Sequence, residues 1–98
     1  MADLRFSWDP RKARRNLEKH RVSFQEAQTV FFDEHAILID DPDDSVEEER
    51  FLILGLSAAL RLLTVCHCVR DEGNEIRIIS ARHADRFERR QYGERLAR

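Results

Sequence analysis

The spacing of apolar positions changes along the chain, and each change marks an element. Arg5-Phe6-Ser7-Trp8 alternates and is aromatic, which predicts a first strand. Asp9-Pro10 reads as an N-cap followed by the first helical residue. It opens a helix to about His20 with a thin apolar stripe, Ala13 and Leu17. Ser23-Phe24-Gln25-Glu26 has capping-box spacing. It starts a second helix that buries Phe24, Ala27, Val30 and Phe31 and ends near Asp33. Apolar runs predict strands over 36–39, 50–55 and 61–70, the first closed by the turn Asp41-Pro42-Asp43-Asp44. Asp71-Glu72-Gly73-Asn74 turns the chain into Glu75-Ile76-Arg77-Ile78-Ile79-Ser80-Ala81-Arg82. That stretch is aliphatic on both faces, so it belongs inside its sheet. Asp85, with Glu88 three residues on, caps a third helix whose apolar face (Phe87, Tyr92, Leu96) is incomplete and predicts loose docking. The order β-α-α-β-β-β-β-α makes residues 1–98 one α+β domain. Two N-terminal helices pack on one face of a largely antiparallel sheet, and a C-terminal helix follows.

Charge adds an asymmetry that the total of −2 conceals. Residues 33–50 hold nine acids against one arginine, a local balance of 1 − 9 = −8, while both ends are mildly basic. A weakly acidic total argues against a general nucleic-acid coat protein but leaves room for a small cationic site. The acidic block reads as a solvated loop or as a surface for a basic partner. No run approaches the ~20 apolar residues that span a bilayer, and the N-terminus lacks a signal-peptide pattern. A cytoplasmic protein with no membrane partner is expected.

Cys66 and Cys68 share a strand face at roughly 7 Å spacing, beyond disulfide geometry. A zinc site needs further converging ligands, and no second Cys/His pair exists. They read as reduced core cysteines, and neither a metal nor a cofactor is expected.

The chain has no Gly-rich phosphate loop, HExxH, GxSxG or paired metal-binding carboxylates. The candidate polar groups are His20, Glu49, Arg50, His67, Arg70, Arg77 and Arg82. What the chain offers suits chemistry done by His, Lys, Glu and Arg without a metal, such as cleavage of RNA by its own 2′-hydroxyl. That reaction needs a base, cations on the phosphate and an acid for the leaving oxygen. Each residue also has a plain structural reading. His67 on a strand fits a satisfied core histidine, His20 a helix-end cation favoured by the dipole, and Arg77 a rim ion pair.

Several short motifs together resemble the BrnT family. They are Trp8-Asp9, Lys12, Asn16, Lys19-His20, Val22-Ser23-Phe24 and Glu26-Ala27. Glu48-Glu49-Arg50-Phe51 before Gly55, His67 with Arg70, and Arg77-Ile78-Ile79-Ser80-Ala81-Arg82 follow in order. The match runs from about residue 6 to 92. It implies a type II toxin with a RelE-like fold, acting as a metal-independent endoribonuclease on RNA. It also implies a cognate ribbon-helix-helix antitoxin (BrnA-like), which neutralises the toxin and carries binding to operator DNA. Two positions depart from the family: Arg21 stands where Gly is usual, removing the expected left-handed cap residue, and Val69 replaces an aromatic. The competing reading is a catalytically inactive RelE-like partner that only complexes its antitoxin. A third, a housekeeping structural domain, fits the motif order poorly.

On this reading Arg82 and Arg77 hold the scissile phosphate, His20 or His67 moves a proton, and Glu49, Arg50 and Arg70 orient them. A regular strand points Arg77 and Arg82 to opposite faces, so both contribute only across a bulge or end twist. The basic first helix or the strands' polar face is the expected antitoxin surface, with the acidic segment 40–49 as a second candidate.

Overall fold

The computed structural model describes residues 4–41 and 48–98. Strand β1 (Arg5–Ser7) leads into helices α1 (Pro10–His20) and α2 (Phe24–Thr29), and a 3-10 turn, Val30–Phe32, extends the second. Strands β2 (Ile37–Asp40), β3 (Phe51–Leu56), β4 (Leu62–Arg70) and β5 (Glu75–His83) follow, then helix α3 (Arg86–Leu96). The sheet order is β1-β5-β4-β3-β2. β2 to β5 form an antiparallel meander, while β1 pairs with β5 in parallel, so the sheet is mixed. A parallel neighbour follows from the long connection through two helices and the meander, which returns the chain beside its own start.

The helix starts follow their local signals. The Asp9 side chain accepts a hydrogen bond from the Arg11 backbone N–H and Pro10 is the first helical residue. The Ser23 hydroxyl accepts from the Glu26 N–H, but the Glu26 side chain does not return to Ser23. Its carboxylate instead binds Arg61 and the Ser57 hydroxyl, fixing α2 to the β3–β4 turn. Arg21 takes the left-handed conformation itself, with φ 59° and ψ 32°. The cap that Gly supplies at little steric cost is therefore kept here at a strain cost.

Two clusters cover the two sheet faces. Val22, Phe24, Ala27 and Val30 pack with Ile53, Leu63, Val65, Ile76, Ile78 and Ala81. On the opposite face Leu54, Ala84 and Tyr92 pack with Ile37, Leu56 and Leu62 beneath α3. Gly55 permits the approach of the 3-10 turn, since a Cβ there would stand 3.0 Å from Val30 Cγ1 and 3.1 Å from Asp33 Oδ2. Asp33 then accepts from the Leu56 N–H at 2.8 Å and from the Tyr92 hydroxyl at 2.6 Å, pinning α3. The apolar face expected for α3 is corrected: Phe87 and Leu96 are exposed, and Tyr92 with Glu88 makes the contact. Leu17 is likewise exposed on α1, whose buried residue is Asn16. No helix among the described residues is long and apolar enough to cross a membrane.

β5 lies inside the sheet over Glu75–Arg77, between β1 and β4. Beyond Arg77 its outer edge is met by the Asn16 carboxamide, which accepts from the Ala81 N–H at 3.0 Å and donates to the Ala81 carbonyl at 2.8 Å. It also donates to the Val22 carbonyl at 2.9 Å. One side chain thus completes the ladder where β1 has ended.

Candidate functional site

The alternation of β5 breaks once, and the break builds the site. Cys66 pairs with Ser80 and His67 with Ile78, so a single step on β4 faces two steps on β5. Ile79 is the extra residue of a bulge. The core face of the strand consequently runs Ile76, Ile78, Ala81 instead of Ile76, Ile78, Ser80. Arg77, Ser80 and Arg82 emerge together on the other face. The condition under which both arginines share one site is met.

Three adjoining clefts meet around Ile79. The first runs between α1 and β5, lined by Lys12, Arg15, Asn16, Lys19, His20 and Ser80. The second holds Lys12, Arg50, Arg70, Arg77, Asp9 and Glu48. The third holds Arg50, Cys66, Ser80, Arg82 and Asp41. Among the described residues they collect seven Lys and Arg side chains against three carboxylates, Asp9, Asp41 and Glu48. On a chain with a net charge of −2, this is a concentrated positive groove.

Its parts differ in how firmly they are held. Arg82 presents Nη1 and Nη2 to the two oxygens of Glu88 at 2.8 and 3.0 Å. Arg70 presents Nε and Nη2 to Glu48 at 2.8 and 3.0 Å. The Arg77 guanidinium has no hydrogen-bond or ion-pair partner among the described residues, while it lines the second cleft. His20 ends α1 at the groove. Partial burial lowers its pKa, and the nearby charges of Lys19, Arg82 and His83 push the same way. Its imidazole is therefore neutral near pH 7 and able to accept a proton. Burial pushes the Cys66 thiol up to about 12, helped by Asp41, so the sulfur at the groove floor is not a thiolate. Both cysteines are free and buried.

Of the expected site residues, the structure brings together His20, Arg50, Arg70, Arg77 and Arg82. His67 is corrected: it lies on the core face, 2% exposed, with its ring edge-on to Phe31 at 4.8 Å and beside Phe51. Burial lowers its pKa, and Nδ1 faces the Val65 carbonyl at 3.3 Å. Glu49 lies apart from the residues brought together. It is exposed and lines no part of the groove, whereas Glu48 does. Alternation carried the signal, because 48 and 50 share a side. Most of the acidic segment, residues 42–47, lies outside the described residues. The reading from residue types missed Lys12 and Lys19, whose helical spacing with Asn16 places all three on one side of α1. It also missed Ser80 and Glu88.

Comparison with known proteins agrees with this architecture. No curated protein matches the chain significantly in sequence. The 1.1 Å crystal structure of the Brucella abortus ribonuclease toxin BrnT superposes with a TM-score of 0.65 at 20% identity. The match covers 85% of this chain and 99% of that one, and at such identity it speaks for the fold. The sequence model for BrnT, the ribonuclease toxin of a type II toxin–antitoxin system, matches residues 8–88. With most of its length matched, the chain belongs to the BrnT family of ribonuclease toxins.

Proposed function

We propose that this toxin cuts RNA without a metal, by attack of the 2′-hydroxyl next to the scissile phosphate. The observation that carries the proposal is the β5 bulge, which sets Arg77 and Arg82 on one face in a groove shared with neutral His20. In this reading His20 takes the proton from the 2′-hydroxyl, the 2′-oxygen bonds to phosphorus as the bond from phosphorus to the 5′-oxygen breaks, and the leaving 5′-oxygen takes its proton from water. Arg82 and Arg77 bind the non-bridging oxygens as charge builds on phosphorus, and Lys12 and Lys19 hold the flanking backbone. Arg50, Arg70 and Glu48 set the far wall and fix the strand's register on the groove. The mixed sheet with two helices on one face fits a RelE-like arrangement. A cognate ribbon-helix-helix antitoxin then silences the toxin by covering the groove, and carries binding to operator DNA.

The test is cleavage of a short single-stranded RNA by purified toxin in excess EDTA. The expected products carry 2′,3′-cyclic phosphate ends, and a 2′-deoxy residue at the cut site blocks the reaction. His20→Ala should lower the rate by ~10²–10⁴-fold. Because the His20 pKa is lowered, the wild-type rate should fall as pH drops through a value below 6.5. Stoichiometric antitoxin should abolish cleavage. EDTA-sensitive cleavage, or products with 3′-hydroxyl ends, would refute the mechanism.

A further inference from the structure

Glu88 is a buried carboxylate at the start of α3, only 7% exposed. Its Oε1 accepts the Asp85 N–H at 2.9 Å, and Asp85 Oδ1 accepts the Glu88 N–H at 2.8 Å, a complete capping box. Helix capping asks no more than that pair of bonds. Yet both Glu88 oxygens also receive Arg82. Burial works to raise the Glu88 carboxyl, but the guanidinium and the Asp85 N–H outweigh it and hold the group below the usual carboxylate range. The charge is thus kept next to Arg82.

The way Arg82 is held leaves a specific set of donors. A guanidinium has five N–H groups. Glu88 takes one from each Nη, and the second Nη1–H faces the His83 carbonyl at 3.3 Å. Among the described residues, what remains without a partner is Nε with the second Nη2–H, a complete side-on fork of the kind that receives two oxygens of one phosphate. Arg70 differs, because Glu48 occupies that edge of it.

We infer that Glu88 is a positioning residue, which locks the Arg82 guanidinium so that its free Nε–Nη2 edge is offered to phosphate in the groove. The inference rests on the reading of Arg82 as a phosphate ligand. It ties the N-terminus of α3 to the reaction, since the same carboxylate caps the helix and aims the arginine. Without it, a long side chain at the end of a strand samples many rotamers, and misplacement by about 1 Å is enough to cost on the order of 10²-fold in rate.

The experiment compares single-turnover cleavage of a short single-stranded RNA by full-length Glu88→Gln, Asp85→Ala, Arg82→Ala and the Arg82→Ala/Glu88→Gln double variant. Asp85→Ala removes the cap and a lesser charge acting on Arg82 but keeps the Glu88–Arg82 pair, so it separates capping from that pair and should keep a rate near wild type. Glu88→Gln should lose on the order of 10²-fold in rate with little change in RNA affinity. In the Arg82→Ala background the second change should cost nothing more. Glu88→Asp keeps the charge one methylene short and should lose an intermediate amount; it replaces Glu88→Gln should that variant not fold. A wild-type rate for Glu88→Gln beside an inactive Arg82→Ala overturns the inference alone, as do equal losses for Glu88→Gln and Asp85→Ala. A wild-type rate for Arg82→Ala overturns the phosphate-ligand reading and the inference with it.

Discussion

Asn16 offers the sharpest test of how the groove is assembled. Its carboxamide makes three buried hydrogen bonds, to the Val22 carbonyl and to both backbone groups of Ala81, at 2.8–3.0 Å. Asn16→Leu keeps comparable bulk and leaves all three backbone groups without their partner. Each buried orphan costs ~1–3 kcal/mol, although a carbonyl keeps a second lone pair and the 7% exposure of Asn16 admits some relaxation. The expected loss is about 3 kcal/mol, a large share of the ~5–15 kcal/mol by which small domains are stable. At ~4–8 °C per kcal/mol for a domain of this size, the Tm should fall by about 12–24 °C.

Asn16→Asp keeps the shape and changes the sign of the problem. One oxygen still accepts from the Ala81 N–H, but the other faces two carbonyl oxygens that the amide had served as a donor. Burial and these dipoles raise the folded-state pKa of the new carboxyl above its unfolded value of ~3.9. A raised folded pKa gives stability that is fully present below the unfolded pKa and is lost as pH rises through the folded pKa. The deficit of Asn16→Asp against wild type should therefore be larger at pH 8 than at pH 5. Urea unfolding at both pH values, with hydrogen exchange at the Ala81 amide, measures this. An Asn16→Leu protein within ~0.5 kcal/mol of wild type, or an Asn16→Asp deficit that ignores pH, would sink the argument.

Two further outcomes follow from the same structure. Arg21→Gly should stabilise the toxin by ~0.5–1 kcal/mol, because a left-handed L-residue is strained and glycine is not, less the extra freedom glycine has when unfolded; a lower urea midpoint would contradict this. His67 is neutral and buried with a lowered pKa, so the unfolded chain binds its proton first. Stability should then fall as pH drops from ~6.5 toward the folded value, by at most ~1.4 kcal/mol per pH unit from this group. His67→Phe, which keeps a ring between Phe31 and Phe51, should flatten that slope and retain RNA cleavage. An unchanged slope, or loss of cleavage in a folded His67→Phe protein, would return His67 to the site.

Local signals carried the elements almost to the residue, because they act over three or four positions. Asp9-Pro10 and the Asp85–Glu88 pair start helices wherever they occur, and the apolar runs of β3 and β4 hardly fit anything but a buried strand. Residue type misled where chemistry and packing ask for the same side chain. His67 shares strand parity with Leu63 and Val65, and that parity placed it in the core more reliably than its imidazole placed it in a site. Asn16 carried no structural expectation beyond its place in the family motif, since nothing local marks a polar residue on a basic helix as buried. Two of its three bonds go to the backbone of Ala81, 65 residues away, which no local pattern records.

The bulge at Ile79 explains why the site itself was harder to read than the fold. Strand alternation has a period of two, so one inserted residue reverses the facing of everything beyond it. Were β5 regular, Ser80 and Arg82 would follow Ile76 and Ile78 into the helix-covered core, where a guanidinium has neither room nor water. The insertion instead sends the small Ala81 inward, beneath Asn16, and turns Arg82 out toward Glu88 and His20. The aliphatic character on both faces of this strand is thus shared between two tasks. Ile76 and Ile78 bury the core, and Ile79 forms the apolar floor on which three cationic clefts meet. A strand that reads as interior sheet carries the groove because its period is broken in one place.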